Sequence, residues 1–477
     1  MTRPLSFRLQ PIPLLAALLS APTPAPAQCH GPYQLLAPDA ALNDSGGAAV
    51  ALSADFAIVG ASLDDISRTD QGSATIYQFL NSAWVFQARL LAPAPVARQQ
   101  FGATVDISGD TAVVGYGAFG GLFPAFVFVR NPATGAWPLQ AQVFANPALS
   151  LEQFSSAVAI DGDTLVVGAP LHTSTAGTSQ GAAYVFVRSA STWTQQAKLI
   201  PNDPAAFAEF GTAVDISANS IIVGSPGDVS RAAYIFVRSD AAWSQQARLT
   251  AGKAAPNIGF ARRVALSNDT AVVGASLFDG PAGPDQGAAL VYQRTGALWT
   301  FHSTLTPSDA VADMRFGTSV AVSNNTILVG RSVADESLSP LPRGAAWLFE
   351  RTGAQWNEAV RIENLASITW DRFGRACALD ADTALVGASF ALTGPPLAPL
   401  RSGDARSFHR FNGRWTLRAP GDADLDGRVV FADVRTVLSF WGADYRPGTG
   451  PGDANSDGVV NGDDLGAVIG NWLVDCR

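Results

Sequence analysis

Positive charge and reactive side chains are scarce in this chain. It has two lysines, Lys198 and Lys253, four histidines, three cysteines and two methionines in 477 residues. Charged residues make up 15% of it, against about 25% in an ordinary soluble domain. The formal net charge is -9 and no basic stripe is present, which argues against a nucleic-acid partner. Neither lysine follows a glycine-rich loop, so a phosphate-cradling motif is absent. His30, His172, His302 and His409 fall at unmatched positions, without a second histidine at ligand spacing. A histidine metal site or a Ser-His-Asp relay is therefore unsupported. No apolar run reaches the roughly 18 residues of a membrane helix, so no transmembrane span is expected.

The hydrophobic fraction is 47%, and 45 glycines and 30 prolines are dispersed along the chain. That pattern suits many short strands joined by turns. The N-terminus reads as a secretory signal over residues 1–27. Arg3 and Arg8 precede an apolar core at Leu14–Leu19, and Ala25-Pro26-Ala27 supplies the cleavage site. Pro26-Ala27-Gln28-Cys29 is a poor lipoprotein box, so a free secreted monomer, extracellular or at the cell surface, is expected. Export permits disulfides. Cys377 sits where the repeat otherwise holds valine and reads as a buried thiol, while Cys29 and Cys476, near the two chain ends, are candidates for a terminal staple.

Self-similarity dominates the sequence. Tryptophans recur at 84, 137, 193, 243, 299, 356 and 415, with spacings of 53, 56, 50, 56, 57 and 59. A second series runs Gly46, Phe101, Phe154, Phe210, Phe260, Phe316 and Phe373, and Gly usually follows the Phe. A third is a strand ending in Val-Gly, at Gly60, Gly115, Gly168, Gly224, Gly274, Gly330 and Gly387. Each unit reads as four strands. In the third copy these are Ser156–Ile160, Thr164–Gly168, Ala182–Arg188 and Trp193–Leu199, with Asp161-Gly162-Asp163 as a hairpin turn.

Four strands in about 55 residues, repeated seven times, predict an all-β, seven-bladed β-propeller over residues 28–417. An open solenoid is the other way to stack such units. Closure is expected from Tyr33–Pro38, which matches the fourth strand of copy one at Ala88–Pro93 but precedes the first copy. The Phe, Trp and Val-Gly series read as inter-blade packing, outer-strand packing and a tight turn near the axis. This Phe-Gly…Val-Gly-Ala repeat resembles the FG-GAP repeats of the integrin α-chain propeller and of secreted bacterial integrin-like proteins. The resemblance implies a propeller that binds partners through loops on one face. It departs from integrins in lacking D-x-D-x-D-G calcium loops in its blades.

Beyond a short linker at 418–420 the pattern changes. Residues 421–477 hold ten Asp and four Arg, a net of -6. Asp422, Asp424, Asp426, Gly427 and Asp433 stand at positions 1, 3, 5, 6 and 12 of a calcium loop. The run recurs 31 residues later as Asp453, Asn455, Asp457, Gly458, Asn461 and Asp464. A hard cation needs six to eight oxygens about 2.4 Å away, and such spacing wraps them round it. The carbonyls of Arg428 and Val459 would add a ligand each. Val434, Val437, Leu438 and Trp441, then Leu465, Val468, Ile469 and Trp472, give each loop a following amphipathic helix. The pair resembles a dockerin, a small α-helical, EF-hand-like module that binds two calcium ions and docks onto cohesins in assemblies of polysaccharide-degrading bacteria. The resemblance implies calcium-coupled folding and a cohesin-like partner.

Two functions stay open. One is a secreted, non-catalytic scaffold whose propeller face binds a protein or glycan and whose dockerin-like module tethers it to an extracellular assembly or surface. The other is a polysaccharide-degrading propeller enzyme anchored by that module. The enzyme needs two carboxylates converging at the axis. The candidates are Asp64, Asp65, Asp70, Asp279, Asp285, Asp335 and Glu336 in the variable loops.

Overall fold

The computed structural model describes residues 33–416, apart from 82, 118–120, 148–151, 176, 228–230, 253–258, 333–343, 364–370, 394–399 and 412–413. The signal segment, linker and calcium module expected from the sequence lie outside the described residues. Among those described, regular structure is entirely β, in seven radial antiparallel sheets and one short hairpin. Blade three is Ala157–Asp161, Thr164–Ala169, Ala182–Ser189 and Thr192–Leu199, within a residue or two of the reading from sequence. Its second strand is fully buried, which its unbroken apolar run dictates.

The first strand of each blade packs against the first strands of both neighbours, and blade seven packs back on blade one. Seven hydrophobic clusters fill the seven junctions. The repeated Phe is the anchor: Phe101, Phe210, Phe316 and Phe373 are fully buried. Burying one such ring stabilises by about 1.5–3 kcal/mol.

The Val-Gly glycine does not make a tight turn. Gly168 lies inside the second strand, opposite Ala157, and a Cβ there would collide with the carbonyl of Gly211 in the next blade. The two glycine marks of the repeat thus meet across a junction, where two backbones approach too closely for a side chain.

One closed ring of polar contacts and one clamp repeated at three junctions index the blades. At the hairpin end, a Ser or Asp closing each first strand accepts a hydrogen bond from a turn N–H of the following blade. The chain of contacts is Ser53–Gly109, Ser108–Gly162, Asp161–Ala218, Ser217–Asn268, Ser267–Asn324, Ser323–Ala381 and Asp380–Ala54, at 2.6–3.2 Å. The last returns to blade one. Further out, Arg238 lies over Trp243 at 5.2 Å and donates to Asn219 at 2.9 Å and to Thr164 of blade three at 3.1 Å. Trp243 Nε1 donates to Gln196 of blade three at 2.8 Å. Arg188–Trp193 and Arg294–Trp299 repeat this clamp.

Blade seven has a composite outer strand. Tyr33–Leu35 and Arg414–Thr416 both pair with Asp404–Phe411. In blade one the outer strand is continuous, with a register shift between Ile76 and Tyr77. Aligning the two registers puts Thr416 at the place of Val85 and Tyr33 at that of Ala88. The chain is cut where every complete outer strand carries its β-bulge.

Candidate functional site

The eleven predicted calcium ligands, Asp422 to Asp464, lie outside the described residues, as do Asp335 and Glu336. The remaining loop acids shape their own loops. Asp65 accepts from the Asp70 amide at 2.6 Å, and Asp279 from the Asp285 amide at 2.9 Å. Asp64 is buried and accepts from Ser73 Oγ at 2.5 Å. None of these acids bonds to an acid of another blade among the described residues.

The face carrying the second-to-third strand loops and the inter-blade linkers is studded with apolar side chains, as the hairpin face is at Leu80 and Leu298. Leu42, Val96, Leu122, Phe207 and Val311 stand exposed on the loop face, in the linkers before blades one, two, four and six and in a loop of blade two. Below, in blades one and three, the second strand, third strand and linker enclose a small buried site. In blade one this holds Asp44 and Asp64. Burial, opposed by the Ala41 amide, pushes Asp44 up to about 6.

In blade three the same place holds a network that the sequence did not disclose. Glu152 and His172 are each 3% exposed. His172 Nδ1 is 2.5 Å from Glu152 Oε1, and Nε2 is 2.6 Å from Lys198 Nζ. A lysine ammonium can only donate, so Nε2 accepts and Nδ1 carries the proton toward Glu152. The Tyr184 hydroxyl donates to Glu152 Oε2 at 3.2 Å. Burial lowers the Lys198 pKa, with Glu152 opposing. His172 and Glu152 lie 20 residues apart, on either side of two strands, and only the fold joins them. In blades one, four and six the matching cation pairs instead with a linker acid: Arg89 with Asp39, Arg248 with Asp203, Arg361 with Asp309.

The inner strands bound an axial channel with opposite charge at its two levels. Asp106 and Asp215 occupy the same repeat position in blades two and four. Asp106 accepts from the Ile160 and Ile107 amides at 2.6 and 2.9 Å, and Asp215 from Leu266 and Ile216 at 2.7 and 2.8 Å. These carboxylates satisfy edge N–H groups that a first strand would otherwise leave unpaired. Burial raises both to about 7, against those hydrogen bonds. At the loop-face end stand Arg262 and Arg263 of blade five and Arg375 of blade seven, all exposed. Surrounding protein and mutual repulsion lower the pKa of Arg263.

Cys377 is a half-buried free thiol beside Ser319 Oγ at 3.1 Å, and burial pushes it up to about 12. That leaves it without thiolate at neutral pH and without chemistry of its own. His409 is held near 4 by burial and stacks on Phe79 at 4.8 Å, so it packs as a neutral aromatic ring.

Comparison with known proteins gives three findings. The FG-GAP repeat family matches residues 33–77, 84–119, 137–186, 193–236, 243–292 and 299–349, more than half of the chain. A comparison with curated proteins found no match. Among solved structures, the crystal structure of Saccharomyces cerevisiae Sqt1 is similar at a TM-score of 0.45 and 11% identity, covering 82% of this chain and 88% of that one.

Proposed function

The chain belongs to the FG-GAP repeat family, and from that premise we propose a secreted, non-catalytic binding protein. Its loop face takes an extracellular protein or glycan. Its dockerin-like segment, 421–477, folds on two calcium ions and tethers the propeller to an extracellular assembly or surface, with a cohesin-like domain as the partner class. The observation that carries the binding reading is the division of labour on the loop face. Its acids are spent on shaping their own loops, while its apolar tips, Phe207 and Leu42 foremost, are left facing water. The tether is supported by the doubled ligand spacing alone.

A second reading, hydrolysis of polysaccharide, draws on Asp106 and Asp215, two channel carboxylates with raised pKa. It is the weaker because each has both oxygens engaged by backbone amides.

The full-length protein tests both. Calorimetric titration with calcium is expected to show two ions, and Asp426→Ala or Asp457→Ala to remove one each. A chain that takes up no calcium would end the tether reading. Reducing ends released from a polysaccharide panel, and lost in Asp106→Asn or Asp215→Asn, would replace the binding protein by a glycosidase.

A further inference from the structure

Three arginines meet at the loop-face mouth of the axial channel. Arg262 and Arg375 hold the third position of the first strand in blades five and seven, and Arg263 the fourth in blade five. Elsewhere the third position is Ala, Ser or Thr, from Ala48 in blade one to Thr318 in blade six. The mouth therefore has long cations on one side and room on the other. Both strands break register at these residues, between Phe260 and Val264 and between Phe373 and Ala376. Such bulges re-aim side chains away from the ladder. Among the described residues no carboxylate pairs with any of the three, although the chain's other arginines repeatedly find one. The one side-chain hydrogen bond in the cluster among the described residues runs from Arg263 Nη1 to the Arg262 carbonyl, at 2.9 Å. Arg263 and Arg375 repel one another with blade six between them.

Like charges crowded together are unfavourable, and an anion relieves the repulsion between all of them at once. Guanidinium forks match the two oxygens of a carboxylate, where a lysine would offer a point charge. We propose that this mouth binds a carboxylate-bearing ligand, held by Arg262, Arg263 and Arg375. The ligand stops at the mouth. Asp106 and Asp215, on the first strands of blades two and four, lie three residues or fewer further along, roughly 10 Å down the channel, and offer no donor to an anion that enters deeper.

A carboxylate of this kind comes from a free polycarboxylic acid or from the uronate end of an acidic glycan. The proposal deepens the binding reading by assigning it a site and a ligand chemistry, and it rests on that reading for the face used. The test is calorimetry on the full-length protein with citrate, trigalacturonic acid and neutral cellotriose. Citrate or trigalacturonate is expected to bind, cellotriose not at all, and affinity to fall as salt rises. Binding of citrate alone assigns the free acid, and binding of trigalacturonate assigns the glycan. Arg262→Gln with Arg375→Gln is expected to weaken binding at least tenfold. Arg263→Lys keeps charge and fold and loses the fork, and is expected to weaken it several-fold. Thermal melting verifies that each variant folds. Failure of both acids to bind, or equal binding in the folded Arg262→Gln, Arg375→Gln variant, would overturn the site. The calcium titration is independent of it, so the tethered binding protein would survive that failure.

Discussion

Glycine, alanine and asparagine share one turn position around the ring. Gly109 and Gly162 hold it at φ +52° and +55°, and Ala54, Ala218 and Ala381 hold it at +48°, +52° and +46°. A Cβ added to Gly162 would meet nothing. Gly162→Ala should therefore cost only about 1 kcal/mol, the left-handed penalty of an L residue. Gly181, at φ +85°, has the Phe210 carbonyl of the next blade where its Cβ would go. Gly181→Ala should cost at least about 3 kcal/mol. Urea denaturation separates the two, and equal losses would show that the junction yields. The channel acids give a pH dependence. Asp106 and Asp215 sit near 7 in the native state, against about 3.9 unfolded. The native protein holds those protons more tightly, so their contribution to stability is present below about pH 4 and lost as pH rises to about 7. Asp106→Asn should flatten that decline in urea midpoint between pH 4.5 and 7.5, and an unchanged slope would place the titration elsewhere. Neither aspartate was legible as special in the sequence. Ala159, Ala265, Ala321 and Ala378 hold the same repeat position, and only closure of the ring puts blades two and four on one channel.

Strands and turns were readable because alternation and turn chemistry are local. The clamp between blades is also written in the sequence, in a series whose meaning only the fold supplies. Arg188, Arg238, Arg294, Arg351 and Arg410 each stand five residues before a repeat Trp. An arginine among charges looks solvated until it is seen over its indole and bonded to the preceding blade. Arg238→Ala removes a stacking contact and a bond across the junction, and should cost about 1–2 kcal/mol. Arg351 stacks more distantly, at 6.0 Å, and bonds the Gly353 carbonyl of its own turn. Arg351→Ala should cost less than half as much. Thermal melts of the two variants compare them, and equal shifts would remove the cross-blade bond from the account.

At the scale of the molecule, three marks repeated seven times, with Tyr33–Pro38 as a displaced fourth strand, predict a closed ring rather than an open solenoid. The site was far less legible. Glu152, His172 and Lys198 belong to a linker, a loop and an outer strand, and no local spacing joins them. The calcium ligands expected from spacing fall outside the described residues. The composite strand yields the sharpest prediction at this scale. In the register of blade one, two residues separate Thr416 from Tyr33, and the sequence offers two, Leu417 and Pro32. A circular permutant joining Leu417 directly to Pro32, opened at the exposed Thr134–Gly135 turn, should fold with circular dichroism like that of the native propeller. An unfolded permutant would refute the register.

That seam sets how the ring fails. All seven junctions are spanned by a peptide linker, but the one between blades seven and one is held to blade seven only through the three-residue strand Tyr33–Leu35, and its cluster is the smallest of the seven among the described residues. Under heat or tension the hoop should part there first and open into a ribbon of blades still joined in order. Its two bared end faces would be complementary to each other, and so to those of a second opened copy. A breach at this one place therefore leads as readily to an exchanged pair of chains as to collapse.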